Sequence, residues 1–487
     1  MPPGDRRIAP QLTSDAAQRL TDRRSPSAAG DASGAMRMSS RAARAIREFL
    51  WLPAAVVAGY AALGVVSILV DDSPPHWLLP TRTVLSHVIS KSAASALLSA
   101  VATSVVTVTS ITFSVLLLAV QQAASSMTPS VFDQFLRRRT NQFYLGMFVG
   151  LSLYAFLVLS SSGGKAVIGA TVALALTVVS FVVLIVLIYS TVDQMRPTSV
   201  TQVIHDRALK ARRAELGTLV RTRRAARLEG DQRIAVHSEQ DGYVTSVDVD
   251  SIAAALPAGA DGEVRLEVTL GEHVAFGQLL AVVVDDDHAR RERLAEVIRG
   301  ALGLDRERDL DVDATFAVEE LGNIAWTALS TSKQNPQTGR DAIDRLRDLA
   351  IRWSAASTAD ADAGAGERLS IVYADTDLDD VLDTLLSALV VCGESRQVES
   401  CAHVLRALAD ALEAMTTEHL ERLEPALMRT LASVEIHPLT RTLEGALRRL
   451  IKVLRGHERH EAADAGCDLL HAMRGNTLSG GMAGAAR

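Results

Sequence analysis

Between Ser92 and Ser160 two long apolar runs flank a short, strongly basic connector. Ala93 to Val120 carries no charge and exceeds the ~20 helical residues that cross a bilayer core, where lipid offers the backbone no hydrogen-bonding partner. Phe143 to Ser160 is apolar again, and so are Leu50 to Val70 before it and Val167 to Tyr189 after it. The pattern predicts an α-helical integral membrane domain of four transmembrane helices over 41–195. In the second span Thr103, Thr107, Ser110, Ser114 and Gln121 fall near one face at ~100° per residue, flanked by Ser104 and Thr112. Such a stripe serves either as a helix-packing interface or as the wall of a water-filled path. The opposite face, with Val105, Val108, Leu116 and Ala119, is expected to meet lipid.

Basic residues orient the spans. Arg41, Arg44 and Arg47 precede the first, Arg137, Arg138 and Arg139 precede the third, and Arg196, Arg207, Lys210, Arg212 and Arg213 follow the fourth. A Lys/Arg excess near span ends marks the cytoplasmic side, so both termini are expected inside and the loop Asp71 to Lys91 outside. The connector arginines are then lipid-headgroup contacts. Within the connector Thr128 is a plausible N-cap for a helix Pro129 to Arg138, whose apolar side carries Val131, Phe132, Phe135 and Leu136. His76, Trp77 and His87 in the outer loop suit interfacial anchoring. No ionisable group lies inside a span, which counts against a proton pump or a charge-coupled transporter.

Gln122-Ala-Ala-Ser-Ser, Thr128-Pro-Ser-Val, Phe135-Leu-Arg, Asn141-Gln-Phe-Tyr-Leu-Gly-Met-Phe-Val-Gly and Tyr154-Ala-Phe-Leu-Val-Leu resemble a bacterial family of predicted membrane proteins, domain of unknown function 2254. The likeness runs from about Phe49 to the region of Trp353. It implies four spans followed by a cytoplasmic region and brings no established activity. It also implies a Gly-Ile-Asn-Asp-Pro-like run near Lys333, Asn335, Pro336 and Thr338, where this chain keeps Asn335-Pro336 and Thr338 but is more polar. That loop is the candidate ligand or partner site.

After the spans, residues 196–228 form a basic juxtamembrane helix, read as an electrostatic seat on anionic headgroups. At Gly230 the period changes to alternation, and Arg233-Ile-Ala-Val, Gly242-Tyr-Val-Thr-Ser-Val-Asp-Val, Val264-Arg-Leu-Glu-Val and Leu279-Leu-Ala-Val-Val-Val predict a small β-module over 229–284. Gly242-Tyr-Val and Gly271-Glu-His-Val-Ala-Phe-Gly-Gln-Leu-Leu resemble the half-motifs of barrel-sandwich domains. With no lysine between Lys210 and Lys333, a carrier lysine on that hairpin is excluded. A helical segment over 285–353, an Ala-, Asp- and Gly-rich linker over 354–366 and a C-terminal helical bundle over 367–475 complete an α+β cytoplasmic region; 1–40 and 476–487 read as disordered tails.

The chain of 487 residues is 48% hydrophobic, 4% aromatic and carries a net charge of −7 with mean hydropathy +0.17, values that fit a membrane domain joined to a folded polar one. Its three cysteines, Cys392, Cys401 and Cys467, lie on the cytoplasmic side and are expected as thiols. Asp285-Asp-Asp-His288 reads as a helix start. Asp309-Leu-Asp-Val-Asp313 carries calcium-loop acids but has Ala314 where the turn needs glycine. His457 and His471 would stand ~21 Å apart on one helix, too far to share an ion. No phosphate-binding loop, nucleophile elbow or metalloprotease motif is present, so no cofactor, no nucleic acid partner and no standard enzyme activity are expected. The reading is a membrane-anchored scaffold or sensor that binds a cytoplasmic protein or small molecule and forms a homo-oligomer. The alternative is an oligomeric channel lined by the stripe.

Overall fold

A computed structural model describes residues 28–73, 91–126, 139–161, 167–194, 196–228, 232–256, 262–330, 336–362 and 368–484. The chain forms two compact units, one of residues 1–122 and 132–191, the other of residues 192–487 with 123–131.

The first unit consists of helices α1 (Ala28–Asp72), α2 (Lys91–Ser126), α3 (Arg139–Ser161) and α4 (Val167–Gln194, continuing just past the boundary). Each contains a segment long and apolar enough to cross a membrane: Leu50–Asp72, Ala93–Val115, Gln142–Ser161 and Val167–Ser190, with mean hydropathies of 2.1, 1.8, 1.9 and 3.0. Helix α1 starts at Ala28, inside the stretch expected to be a disordered tail; alanine, methionine and arginine there are strong helix formers. Helices α1 and α3 pack at glycine. A Cβ at Gly146 would lie 2.9 Å from the Pro53 Cα, and one at Gly150 would lie 2.6 Å from the Tyr60 ring. The Gly146-Met-Phe-Val-Gly150 spacing puts both on one face a turn apart, the pattern that lets membrane helices approach closely.

The core of this unit joins Leu98, Val101, Ala102 and Val105 of α2 to Leu151, Tyr154, Ala155 and Val158 of α3 and to Ala170 and Ala173 of α4. This reverses the expected orientation of α2: Val105 is buried and Val108 packs beside it against α3 and α4 neighbours, rather than meeting lipid. Small Ala and Val side chains allow that close approach. At one end Asp71, 4% exposed, accepts from the amides of Ile168 (3.0 Å) and Gly169 (2.9 Å), the unpaired donors of the first turn of α4. The Tyr154 hydroxyl donates to the Gly169 carbonyl at 3.1 Å and lies 2.9 Å from Ser67 Oγ.

The second unit opens with α5 (Pro197–Arg221), two residues after α4, with proline in its first turn where no amide is needed. Strands β1 (Arg233–His237), β2 (Gly242–Val247), β3 (Glu263–Leu266), β4 (His273–Val274), β5 (Leu279–Val284), β6 (Leu302–Asp305) and β7 (Ile371–Val372) form two sheets of order β1-β5-β3-β7 and β4-β2-β6. All pairings are antiparallel except β3 with β7, where Val264 faces Ile371. Gly271 and Gly277, at φ +82° and +81°, make the turns on either side of β4, as the glycine spacing predicts. The sheets are small and do not close into a barrel, so the barrel-sandwich likeness goes no further than two short open sheets. They also recruit β6 and β7 from beyond residue 284.

Helices α6 (Val249–Ala255) and α7 (His288–Ala301) cover the sheets, with Ile252, Leu294 and Ile298 packed on Val236, Val244, Val264 and Val283. The helical part comprises α8 (Ala314–Ser330), α9 (Pro336–Asp362), α10 (Asp377–Glu394), α11 (Val398–Glu413), α12 (Thr417–Leu431), α13 (Arg441–Gly456) and α14 (His460–Gly484). Their shared core includes Leu321, Leu346, Trp353, Leu385, Leu405, Leu447 and Met473. Helix α9 runs through most of the expected linker and α14 through most of the expected C-terminal tail. Alanine accounts for the first difference: Ser354-Ala-Ala-Ser-Thr-Ala-Asp-Ala-Asp362 has a loop-like composition but the strongest helix former at four of its nine positions.

Candidate functional site

Helix α5 is the centre of the second unit. Its buried residues, Thr201, Ile204, His205, Ala208, Ala211, Arg212, Glu215 and Leu219, recur at three- and four-residue steps and so line one face. Ile204, Ala208 and Ala211 belong to the helical core, whereas Leu216 and Leu219 pack in the β core, so this one helix joins the two. Several of the basic residues of 196–228, expected as a headgroup seat, find carboxylates inside the unit. Arg207 and Lys210 meet Asp311, Arg221 meets Asp250, Arg223 meets Glu263, and Arg212 is 2% exposed.

A polar seam runs along α5 at seven-residue spacing, two turns at a time. Thr198 Oγ1 donates to Asp341 (2.8 Å), His205 Nε2 lies 2.7 Å from Asp348 Oδ2, and Arg212 reaches Asp375 (2.7 Å) and Asp377 (2.9 Å). At the last of these the guanidinium also stands 3.6 Å from Glu215 Oε2 and 5.6 Å from the centre of the Trp353 ring. The Tyr373 hydroxyl donates to Glu215 Oε1 and accepts from the Leu270 amide, each at 3.1 Å. Thr315 Oγ1 lies 3.1 Å from Asp377 and 3.3 Å from Asp380.

Burial sets the electrostatics of this cluster. Desolvation, then the charge and hydrogen bond of Asp377, push the Glu215 carboxyl up to about 8, against the pull of Arg212 and Tyr373. Desolvation and Asp377 likewise raise Asp380 to about 6. Burial raises Asp377 and carries the Tyr373 phenol well above its usual range. For Arg212 burial works against the charge, yet the hydrogen bond it donates to Asp375 and the surrounding carboxylates hold it more firmly protonated than usual.

The other candidate residues lie elsewhere. Thr103, Thr107, Ser110, Ser114 and Gln121 are all exposed on α2, on the side away from the unit's own core. Three of the hydroxyls are satisfied within the helix: Thr103 bonds the Ser99 carbonyl, Thr107 that of Thr103 and Ser114 that of Ser110, each at 2.9 Å. Pro336 and Thr338 form the first turn of α9, while Lys333 and Asn335 lie outside the described residues. Arg139 opens α3; Arg137 and Arg138, the connector helix, and His76, Trp77 and His87 also lie outside them.

The acidic runs have structural duties. Asp287 caps α7 by accepting from Ala289, and Asp285 is buried against Arg290. Asp313 accepts from the Phe316 amide at the start of α8 and pairs with Arg308, which in turn lies over the Tyr243 and Phe316 rings. Among the described residues no three His, Cys, Asp or Glu side chains are grouped to hold a metal ion. Cys392 and Cys401 are buried thiols, and burial pushes the Cys401 thiol up to about 12.

Four spanning-length apolar helices followed by a mixed α and β unit define a membrane protein with a large extramembrane part. Residues 47–413 match the family described as "Predicted membrane protein (DUF2254)", and the chain belongs to that family. The matched region covers all four spans, both sheets, α10, α11 and every member of the Arg212 cluster, extending well past Trp353. No curated protein and no solved structure matches the chain.

Proposed function

We propose that the protein is a membrane-anchored sensor or scaffold of the inner membrane, with both termini cytoplasmic, whose second unit binds a cytoplasmic protein or small molecule. The observation that carries this reading is the position of α5. It begins two residues after helix α4 ends and is buried in both cores of the second unit, so the segment that leads out of the spans is also one around which that unit is packed. A binding role rather than an enzymatic one is favoured because His205, Arg212 and Glu215 of α5 are engaged by Asp348, Asp375, Asp377 and Tyr373 rather than held open toward a substrate. Cross-linking in native membranes, followed by identification of what is joined to the full chain, tests the reading. A specific partner recovered from wild type and lost on Arg212→Ala supports it; no specific partner and no stabilising small molecule count against it. Orientation is tested by His76→Cys, expected to label from outside, and Arg138→Cys, expected to label only after permeabilisation.

A second reading, an oligomeric channel, draws on the exposure of the α2 stripe. A path between subunits requires hydroxyls on the outside of each copy, where Thr103, Thr107, Ser110 and Ser114 lie. Ion flux through liposomes containing purified protein, abolished by Ser110→Leu, would establish it.

A further inference from the structure

The groups that converge on Arg212 cannot all be ionised together. From α5 come Arg212 and Glu215; from the segment after β7, Tyr373 and Asp375; from α10, Asp377 and Asp380; the neutral Thr315 of α8 and Trp353 of α9 close the cluster. Arg224, 3.9 Å from Asp375 and 42% exposed on its side chain, adds a positive charge on the outer side, and Asp383 adds a negative one toward Asp380. Arg212 thus offers a single fully buried positive charge to Glu215, Asp375 and Asp377, all within 3.6 Å. Glu215 Oε2 and Asp377 Oδ2 both lie against the same guanidinium nitrogen, Arg212 Nη1, at 3.6 and 2.9 Å, and two carboxyls that crowd one cation in a poorly solvated site favour keeping a proton, because like charges there are not screened by water.

We propose, building on the sensor reading, that this cluster is a proton-operated joint: with a proton on the Glu215–Asp377 pair it locks α5 to β7 and α10, and loss of that proton loosens the junction between the helical and β cores. The location gives the titration its consequence. Glu215 lies where α5 passes from the helical core, at Ala211, into the β core, at Leu216 and Leu219. Tyr373, its hydrogen-bond donor, is itself part of the β core and holds the Leu270 amide. Deprotonation adds an uncompensated carboxylate beside Asp377 at the point where the two cores meet. The raised position of Glu215, about 8, puts this event just above neutrality.

Hydrogen exchange on the full chain in lipid nanodiscs tests the joint, comparing about pH 6.5 with about pH 8.5 after correction for the intrinsic pH dependence of exchange. If the opened joint restores Glu215 to its ordinary 4.5, linkage makes opening at the higher pH on the order of 20-fold more frequent. That change should be confined to peptides over residues 208–219 and 369–380, with α13 unchanged, and Glu215→Gln should abolish it. Equal protection of wild type at the two pH values, or the same response in Glu215→Gln, overturns the proposal. Where Glu215→Gln does not fold, Tyr373→Phe carries the test. It removes a donor that favours the ionised carboxylate, so the midpoint read from Trp353 fluorescence, with Trp51, Trp77 and Trp326 changed to Phe, should move to higher pH. An unchanged midpoint overturns the proposal too. Failure here leaves partner capture untouched, and failure of partner capture leaves the exchange response untouched, so the two readings fall separately.

Discussion

Arg212 Nη1 meets Asp377 Oδ2 at 2.9 Å across 165 residues of sequence, both side chains being almost wholly buried. The contact ties the first helix after the spans to the first turn of α10, with β7 and Tyr373 immediately before it. The strength of this ionic junction, set where the helical and β cores meet, can be measured.

Replacing Arg212 by methionine keeps most of the side-chain volume and removes the charge, taking from the buried Asp377 its guanidinium partner and leaving Asp375 only the more distant Arg224. Breaking a buried pair from one side costs about 3–5 kcal/mol, whereas exposed pairs are worth about 0–1 kcal/mol. Arg212→Met should therefore lower the denaturation midpoint of the second unit sharply, while Arg422→Met, whose pairing with Asp379 is exposed, should change little. Chemical denaturation of the full chain in detergent, followed by far-ultraviolet circular dichroism, distinguishes them. Similar losses for both would mean that the Arg212 junction is no stronger than a surface pair.

Stability should fall as pH rises. Glu215 is raised from 4.5 to about 8 and Asp380 from 3.8 to about 6, so between each pair of values the folded chain binds a proton that the unfolded chain has released. The stability from each group is complete below its unfolded value and is lost as pH rises through its folded value, the reverse of an ion-paired carboxylate. Thermal midpoints of the wild type should decline across about pH 4–8, and Glu215→Gln should flatten the upper part of that decline while Asp380→Asn flattens the lower. A midpoint that rises steadily over the upper part would show that Glu215 is ionised in the folded chain.

What was legible in the sequence follows from how each signal is encoded. The four spans and the helices of the bundle were readable because their apolar positions repeat along contiguous sequence; the bundle expected over 367–475 holds α10 to α13 and most of α14. Strand β3 was visible as Val264-Arg-Leu-Glu-Val, but its pairing with β7 was not, since pairing across such a separation leaves no local trace. For the same reason Arg212 read as one more base in a headgroup-binding helix: its partners are supplied by distant chain. Asp71 looked like a loop residue, although it caps α4 from almost a hundred residues away. The Gly146 and Gly150 pair was a local signal, and its four-residue spacing would have located the α1 contact had it been read as packing.

That contact gives a direct test. Gly150→Leu should prevent α1 from reaching α3, because even a Cβ at this position would sit 2.6 Å from the Tyr60 ring. Overpacking of this kind costs about 1–3 kcal/mol, enough to reduce folded yield in detergent. Pairing Gly150→Ala with Tyr60→Ala should recover part of the yield lost by Gly150→Ala alone, since the second change removes the obstructing ring. Simple additivity of the two losses would place the contact elsewhere.

The two sides of α2 make opposite predictions for the same added bulk. Val105 is 3% exposed in the core of the first unit, so Val105→Leu should cost about 1–3 kcal/mol by overpacking. Thr107, Ser110 and Ser114 face outward, and Thr107 and Ser114 are already bonded to their own helix, so Thr107→Val should cost no more than the ~0.6 kcal/mol of an average membrane hydrogen bond. Ser110→Leu separates the remaining possibilities. Against lipid, leucine is favoured over serine, and the variant should fold with the yield and oligomeric state of wild type. Against a second copy, it should prevent close helix approach and shift the protein toward monomer, read by counting subunits through stepwise photobleaching in nanodiscs. If the stripe lines a path, assembly should survive while flux through liposomes stops, because a bulky apolar side chain narrows and dewets the passage. Val105→Leu tolerated as well as Ser110→Leu would show that α2 is turned about its axis, with Val105 outside the core of the first unit.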